Sequence, residues 1–170
     1  TLILADNIKV LNSASLINGP GGAFNLSSTR TFDVGNGVIF DLQAPVTGVG
    51  GLVKRGPGYM RLGFSGTYSG LTTVAEGQLE AWAAGSLGAS TSGTVVSNGA
   101  SLLINPHGTI YDEALTVNGA GSAGYGALDT GESTGTNTWT GPITLNSDSV
   151  IMPYNASAQL ILSGSVAGPG

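Results

Sequence analysis

Cysteine is missing from this chain of 170 residues, and histidine occurs only once. Without cysteine, neither a disulfide framework nor a thiolate metal site can form. The single histidine, His107, lies in the turn sequence 105–108 and has no second histidine with which to share a metal. A nucleophile-His-acid triad would need this same histidine, and no Gly-x-Ser-x-Gly elbow lies near it. We therefore predict no metal, no cofactor and no catalytic residues, and we interpret His107 as an exposed turn residue.

Charge is also scarce, because only 9% of the residues are charged and the net charge is −5. The one basic cluster, formed by Lys54, Arg55 and Arg61, is far smaller than the basic stripe that phosphate binding requires. We expect no nucleic-acid partner and interpret the three side chains as solvated or edge-protecting charges. No run of 18 apolar residues and no signal peptide is recognisable, so we expect no membrane span in this segment.

What the chain has in abundance is glycine, with 29 residues, together with a hydrophobic fraction of 41% that is too high for a disordered chain. The segment 50–79 shows the pattern most clearly. Apolar residues recur at every second position, as in Met60, Leu62 and Phe64, which is the period of a half-buried strand. Each glycine in this segment would cost a helix about 1 kcal/mol relative to alanine. The pattern predicts short strands separated by glycine turns.

The same segment carries a resemblance to a known family. It contains Gly-Leu-x-Lys-x-Gly-x-Gly-x-x-x-Leu, then Thr67-Tyr68-Ser69-Gly70, Thr72-Thr73-Val74 and Glu76-Gly77-Gln78-Leu79. This order resembles the autotransporter passenger-associated repeat of bacterial surface proteins, which are built as parallel β-helices. The likeness covers about thirty residues without a gap. Tyr59-Met60-Arg61 departs from it, because such repeats usually carry small or Thr-rich residues there.

Internal echoes also indicate a repeat protein. Residues 137–145 echo residues 67–74 at an offset of 71, with Trp139 over Tyr68 and Gly141 over Gly70. A second echo, at an offset of 120, places the segment 162–170 over 42–50. Repeated sequence is expected of a solenoid, in which like residues stack from coil to coil. An antiparallel β-sandwich, which also has short strands and frequent turns, is the alternative fold.

We therefore predict an all-β, right-handed parallel β-helix (β-solenoid) of roughly eight coils, with 20 to 22 residues in each coil. Residues 1–170 form a single segment, interpreted as part of a longer repeat array, with 50–79 as the passenger-associated repeat motif. The glycine-, serine- and threonine-rich stretch 119–135 is predicted to be the largest protruding loop. Asn18-Gly19-Pro20-Gly21-Gly22 is predicted to be a tight turn.

Carboxylates are the side chains that would support an enzyme, because β-helix proteins include polysaccharide lyases and glycosidases that use acid pairs or acid-bound calcium. Asp112 and Glu113 are the only adjacent pair. Neighbours in a strand point to opposite faces, so these two converge only if a turn bends them together. The Gly-Gly-x-Gly-x-Asp pattern of calcium-binding solenoids is absent. We interpret the remaining acids as surface residues: Asp6, Asp33, Asp41, Glu76, Glu80, Asp129, Glu132 and Asp148.

The sequence thus predicts a non-catalytic structural or adhesive solenoid, extracellular or on the bacterial outer cell surface. A β-helix carbohydrate-active enzyme is the alternative, and two converging carboxylates in a groove would favour it. A glycan- or protein-binding module, with a host or surface glycan or protein as its partner, is a third possibility. It would use the 119–135 loop or an aromatic face, although we expect the aromatic residues to serve stacking between coils. These residues are Tyr68, Trp82, Tyr111, Tyr125, Trp139 and Tyr154.

Charge is divided unevenly along the chain. Residues 1–75 carry five basic and three acidic side chains, a net charge of +2, whereas residues 76–170 carry seven acidic and no basic ones, a net charge of −7. A solenoid maps the two halves of its sequence onto its two ends, and uncapped ends expose unpaired strand edges. We therefore predict end-to-end association, either between copies or with neighbouring repeats, and opposite charges at the ends would favour a head-to-tail contact.

Overall fold

The computed structural model describes residues 1–17, 21–105, 108–122, 124–131 and 134–169. This part of the chain contains 21 strands and no helix, and the strands pair in parallel throughout. Parallel pairing between strands about 20 residues apart requires a crossover after each strand. The prediction of an all-β parallel solenoid is therefore confirmed, and the alternative of an antiparallel sandwich is excluded.

Three faces enclose the interior. Sheet 1 has eight strands: β2 (Ile8–Val10), β5 (Arg30–Val34), β8 (Leu52–Arg55), β10 (Thr72–Val74), β12 (Thr94–Val96), β15 (Leu115–Gly119), β18 (Ile143–Ser149) and β21 (Val166–Ala167). Sheet 2 has seven strands: β3 (Ala14–Ile17), β6 (Ile39–Gln43), β9 (Tyr59–Leu62), β11 (Gly77–Ala81), β13 (Ala100–Ile104), β16 (Leu128–Asp129) and β19 (Ile151–Met152).

The third face is made of two smaller sheets. One contains β1 (Leu2–Ile3), β4 (Phe24–Asn25) and β7 (Val46–Thr47), and the other contains β14 (Ile110–Tyr111), β17 (Gly135–Trp139) and β20 (Ala158–Leu162). The strands of both sheets precede a strand of sheet 1, and all except β1 follow a strand of sheet 2, so the two sheets occupy the same place in different coils. Between them, backbone hydrogen bonds such as Ala89 N to Tyr68 O (2.8 Å) continue the ladder without regular strands.

The solenoid has about seven turns, fewer than the eight predicted. Coil length explains the difference, because it is not constant. Lys54 pairs with Val74 after 20 residues, whereas Val117 pairs with Leu145 after 28. The long coil includes the connection 120–127, which joins β15 to β16. The equivalent connection of the preceding coil, which joins β12 to β13, has only residues 97–99. The right-handed sense of the winding stays a prediction.

Side chains stack in register inside the solenoid. On sheet 1 the row Phe32, Lys54, Val74 and Val96 is fully buried. On sheet 2 the inward row is Phe40, Met60, Leu79, Leu102 and Leu128. Burying one such aliphatic or aromatic side chain stabilises the fold by about 1.5–3 kcal/mol. Because each coil buries its inner face only against its neighbours, stability depends on the stack and not on any single coil.

Of the two internal echoes, one corresponds to equivalent positions in the solenoid and the other does not. The 71-residue echo spans three coils, since Val74 leads through Val96 and Val117 to Leu145 along one row of sheet 1. Its glycines also have the same role: a Cβ on Gly70 would lie 2.3 Å from Gly51 N, and one on Gly141 would lie 1.9 Å from Glu113 O. These corners need glycine because the backbone of the preceding coil lies against them.

The 120-residue echo is not kept by the coils. Leu42 lies in sheet 2, whereas Leu162 lies in the third face. The echo at an offset of 120 therefore does not mark a structural repeat of that length, because the variable coil lengths bring the matching residues to different faces.

The predicted 119–135 loop is interrupted by β16, and residues 126–131 are buried. Ser122, in its longer connection, lies against the outside of sheet 2, where its Oγ is 2.9 Å from Ser101 Oγ. The predicted loop is thus narrower than the sequence suggested, because Leu128 fills a core position in register with Leu102. Of the predicted turn 18–22, residues 18–20 lie outside the described residues, as do His107 and Glu132.

Candidate functional site

The basic residue expected at the surface, Lys54, lies inside the solenoid. Its side chain is fully buried in the row between Phe32 and Val74. Lys54 Nζ donates to three backbone carbonyls at two successive corners, those of Arg55 (2.9 Å), Gly56 (2.6 Å) and Glu76 (3.0 Å). The interpretation of Lys54 as a solvated charge is wrong, because all three donors of the ammonium are satisfied within the protein.

The buried position changes the acidity of this lysine. Burial lowers the pKa of Lys54 to about 8, against the opposing effects of the carboxylates of Glu76 and Asp33. Since desolvation disfavours the charged form, an ammonium survives here at neutral pH only because carbonyl dipoles replace water. Lys54 therefore joins two coils from within and is not a surface contact for an acidic partner.

A second polar cluster lies on the outside of sheet 2. Arg61 Nε is 2.6 Å from Glu80 Oε2, Tyr59 OH donates to the same oxygen, and Asn105 Nδ2 is 2.5 Å from Glu80 Oε1. Arg61 also covers the ring of Trp82, with its guanidinium carbon 4.3 Å from the ring centroid. Burial, followed by the nearby Glu80 carboxylate, raises the pKa of Tyr59 well above its usual range. Arg61 is thus paired, contrary to its interpretation as a solvated charge.

Strand register brings acids together that the sequence separates. Asp41, Arg61, Glu80, Leu103 and Asp129 form one outward row of sheet 2. Successive strands are about 4.8 Å apart, so the Cα atoms of alternate members of the row are about 10 Å apart. The sequence signal was present, since these residues recur at about one coil length, but coil lengths must be known before it can be recognised.

The interpretation of Glu80 and Asp129 as surface acids is wrong, because both are buried, with 3% and 0% of their surface exposed, and both are held by hydrogen bonds within the protein. Glu80 is surrounded by the three donors described above, and Asp129 accepts hydrogen bonds from the backbone N–H groups of Gly126 and Gly131, both at 3.1 Å. Leu103 stands between the two acids in the row and is only 2% exposed. The arrangement is a ladder of structural hydrogen bonds that joins three coils on the outside of sheet 2.

Asp112 and Glu113 lie at the corner between β14 and β15, where the backbone bends. The corner brings both residues to the same small cavity, which is the convergence that a straight strand would have prevented. Asp112 is exposed and Glu113 is buried, with 4% of its surface accessible. The cavity is also lined by Gly85, Leu87, Gly88, Ser90 and Tyr111.

The Glu113 carboxyl group is incompletely partnered. Its Oε1 accepts a hydrogen bond from Thr94 Oγ1 at 2.8 Å, whereas its buried Oε2 has no hydrogen-bond partner. Burial raises the pKa of Glu113 to about 8, the Thr94 hydrogen bond opposes this effect, and the Asp112 carboxylate adds to it. With a pKa of about 8, Glu113 is mostly protonated at neutral pH, and its acidity suits proton transfer near pH 8.

Aromatic side chains occupy separate places and form no common binding face. Trp139 is fully buried and stacks on Tyr111 of the preceding coil, with ring centroids 5.5 Å apart. Tyr125, in the connection 120–127, stacks on Tyr154 at the same distance. Tyr68 is also buried. Two of the six residues, Trp82 and Tyr154, are among the exposed hydrophobic side chains, at 38% and 39%.

Two further searches of the described residues gave negative results. No three His, Cys, Asp or Glu side chains of the described ranges come together as a possible metal site. The same part of the chain has no helix with the length and hydropathy to cross a membrane. Comparison of the chain with known protein families, curated proteins and solved structures gave no match.

Proposed function

We propose that this chain is a structural or adhesive β-solenoid segment of a bacterial cell-surface or secreted protein, and that it adds to further coils end to end. The observation that carries the proposal is that, among the described residues, the end strand on every face pairs on one side only. The resemblance of residues 50–79 to the autotransporter passenger-associated repeat supports the extracellular location. In this proposal the solenoid is a scaffold without catalytic residues, and it presents its surface to a host or surface glycan or protein.

The two ends match face by face. At the start of the stack, β1, β2 and β3 each pair on one side only. At the other end, β20, β21 and β19 likewise each pair on one side, and they lie on the third face, sheet 1 and sheet 2 in the same order. A following coil could therefore extend all three sheets at once. Such edges present unpaired N–H and C=O groups, which are templates for another strand.

Apolar side chains add to the open edges. Leu2 at the first coil and Val166 at the last coil are 51% and 48% exposed, although they lie in the same inward rows as the buried Phe24 and Ile143. An added coil would cover them as the neighbouring coils cover Phe24 and Ile143. Because a head-to-tail contact does not close on itself without a suitable rotation, repeated addition gives a filament.

The charge asymmetry has a smaller part in this contact than the sequence suggested. Of the basic residues, Lys54 is buried and Arg61 is paired in the middle of the stack. Residues 1–29 hold one lysine and one aspartate, and residues 134–169 hold Asp148 as their single charged side chain. The end coils are therefore nearly neutral, and association should depend on strand pairing and apolar contact with little dependence on salt.

Light scattering and sedimentation of the 170-residue chain test the proposal. We expect mass to grow with protein concentration at both low and high salt. The double variant Ile3→Lys/Ile17→Lys places charges at the first edge and should reduce association. The matched control Ile110→Lys, at a position 59% exposed on the side of the stack, should associate like the unmodified chain. A monomer at all concentrations, or equal effects of the two variants, would contradict the proposal.

A carbohydrate-active enzyme is the second candidate, and it is supported by the convergence of Asp112 and Glu113 on one cavity. One carboxyl group with a raised pKa beside an exposed carboxylate is the acid and base pairing of glycoside hydrolysis. Incubation with a panel of acidic and neutral polysaccharides, followed by assay of new reducing ends, tests it. Product from the unmodified chain that disappears in Asp112→Asn and Glu113→Gln would favour the enzyme over the scaffold.

A further inference from the structure

The corner around Glu113 is where three successive coils meet. The side chain accepts a hydrogen bond from Thr94 of the preceding coil. The backbone carbonyl of Glu113 accepts a hydrogen bond from Trp139 Nε1 of the following coil at 3.0 Å. Gly141 lies so close that a Cβ would stand 1.9 Å from the same carbonyl oxygen. A displacement of this residue would therefore disturb contacts on both sides of its own coil.

Among the described residues, no positively charged side chain interacts with the Glu113 carboxyl group. No lysine or arginine follows Arg61 in the sequence. The titratable groups that interact electrostatically with Glu113 are Asp112 on its own corner, Tyr68 of the third face and Tyr111 on β14. None of the three can become positively charged. With Oε2 lacking any hydrogen bond, an ionised carboxylate would be buried without compensation.

We propose that the Glu113 corner is a pH-sensitive latch, closed while the carboxyl group holds its proton and opened by loss of that proton, so that the coils on either side loosen. This inference does not depend on the scaffold function proposed above. The direction follows from solvation. An ionised carboxylate is driven towards water, and the cavity rimmed by Gly88, Ser90 and Asp112 lies beside it.

The opening should be transmitted to Trp139. Its indole N–H is bound to the Glu113 carbonyl, and its ring stacks on Tyr111, two residues before Glu113. If the corner moves outward, Trp139 loses both its hydrogen-bond acceptor and its dry surroundings. Between pH 7 and 9.5, ionisation of Glu113 can be observed without ionisation of its tyrosine neighbours. Burial raises the pKa of Glu113 to about 8, and burial raises the pKa of Tyr68 and of Tyr111 above the usual tyrosine value.

Tryptophan fluorescence tests the latch. The chain has two tryptophans, so Trp82→Phe leaves Trp139 as the single reporter. In this background we expect a red shift of the emission between pH 7 and 9, with a midpoint near 8. Adding Glu113→Gln, which keeps the shape but cannot ionise, should abolish the transition. Adding Asp112→Asn should lower its midpoint, and adding Asp148→Asn, an exposed acid elsewhere, should leave it unchanged.

Emission that stays constant from pH 6 to 9.5 would overturn the proposal, as would the same transition in the Glu113→Gln variant. Lys54 also has a pKa of about 8. A fluorescence change caused by deprotonation of Lys54 would persist in the Glu113→Gln variant, whereas a change caused by Glu113 would disappear. If Glu113→Gln does not fold, hydrogen exchange of the unmodified chain decides. Amides of residues 111–117 and 139–145 should lose protection at pH 9 relative to those of the distant strands 30–34 and 39–43, after correction for the intrinsic rate, and equal protection would refute the latch.

Discussion

Replacing Lys54 by methionine keeps an unbranched side chain in the buried row of sheet 1 and removes the ammonium group from three backbone carbonyls. Losing three such hydrogen bonds costs about 5 kcal/mol, at the usual 1–3 kcal/mol for each buried group left unpaired. Methionine also lacks the desolvation cost of burying an ammonium group, and this gain offsets part of the loss. The difference between 10.5 and about 8 in pKa corresponds to about 3 kcal/mol. We expect Lys54→Met to lower the free energy of unfolding by about 2 kcal/mol at pH 7.

The same substitution has a pH dependence with a definite sign. The folded-state pKa of Lys54 lies below the unfolded value, so between about pH 8 and 10.5 the unfolded chain binds more protons. Stability conferred by this lysine therefore rises with pH across that window, by up to about 3 kcal/mol. Urea unfolding of the unmodified chain and of Lys54→Met at pH 7, 8.5 and 10 measures the difference, in which effects of other groups cancel.

We expect the stability difference between the two proteins to widen as the pH rises. The matched control is Lys9→Met, because Lys9 is an exposed lysine of the same sheet. Its difference from the unmodified chain should be small and constant over the same range. A constant difference for Lys54→Met as well would refute the argument that Lys54 is buried among carbonyls.

Three further substitutions test other parts of the stack by thermal or urea unfolding. Val74→Asp buries an unpaired charge and should cost more than about 4 kcal/mol, whereas Thr73→Asp, the outward neighbour, should cost less than about 1 kcal/mol; equal losses would contradict the assigned faces. Arg61→Ala leaves Glu80 buried without its ion pair and should cost about 3 kcal/mol, most of it regained in Arg61→Ala/Glu80→Gln. Gly70→Ala should cost at least about 2 kcal/mol because its Cβ would meet backbone, and a neutral result would refute the tight corner.

The strands were predictable because alternation survives in the sequence. Met60 and Leu62 point inward from β9 as their spacing indicates, and the glycines between strands exclude helices. The same alternation is consistent with an inward Lys54, because this residue stands two positions after the buried Leu52. The sequence interpretation missed this because lysine is almost always exposed unless it is paired, and the three carbonyls that pair with it belong to corners that only the fold defines.

Register was the part that the sequence could not supply. Register partners in successive coils are from 19 to 30 residues apart, and an error of one residue moves a side chain to the opposite face of a strand. For this reason the shared row of Asp41, Glu80 and Asp129 was not recognised, although each residue was noted individually. For the same reason, the sequence does not decide whether Asp112 and Glu113 approach each other. The answer depends on where β14 ends and the backbone bends.

Disulfide formation between register partners tests the central claim, the stack of parallel coils, most directly. The chain has no cysteine, so a pair introduced by Thr73→Cys and Val95→Cys can react only with each other within one molecule. These residues are neighbours on sheet 1, at a strand spacing of about 4.8 Å that a disulfide can span. The pair Thr73→Cys and Thr116→Cys lies two coils apart, at about 10 Å, which exceeds that span. The solenoid predicts rapid intramolecular oxidation of the first pair and none of the second at low protein concentration; oxidation of the second pair in preference to the first would contradict it.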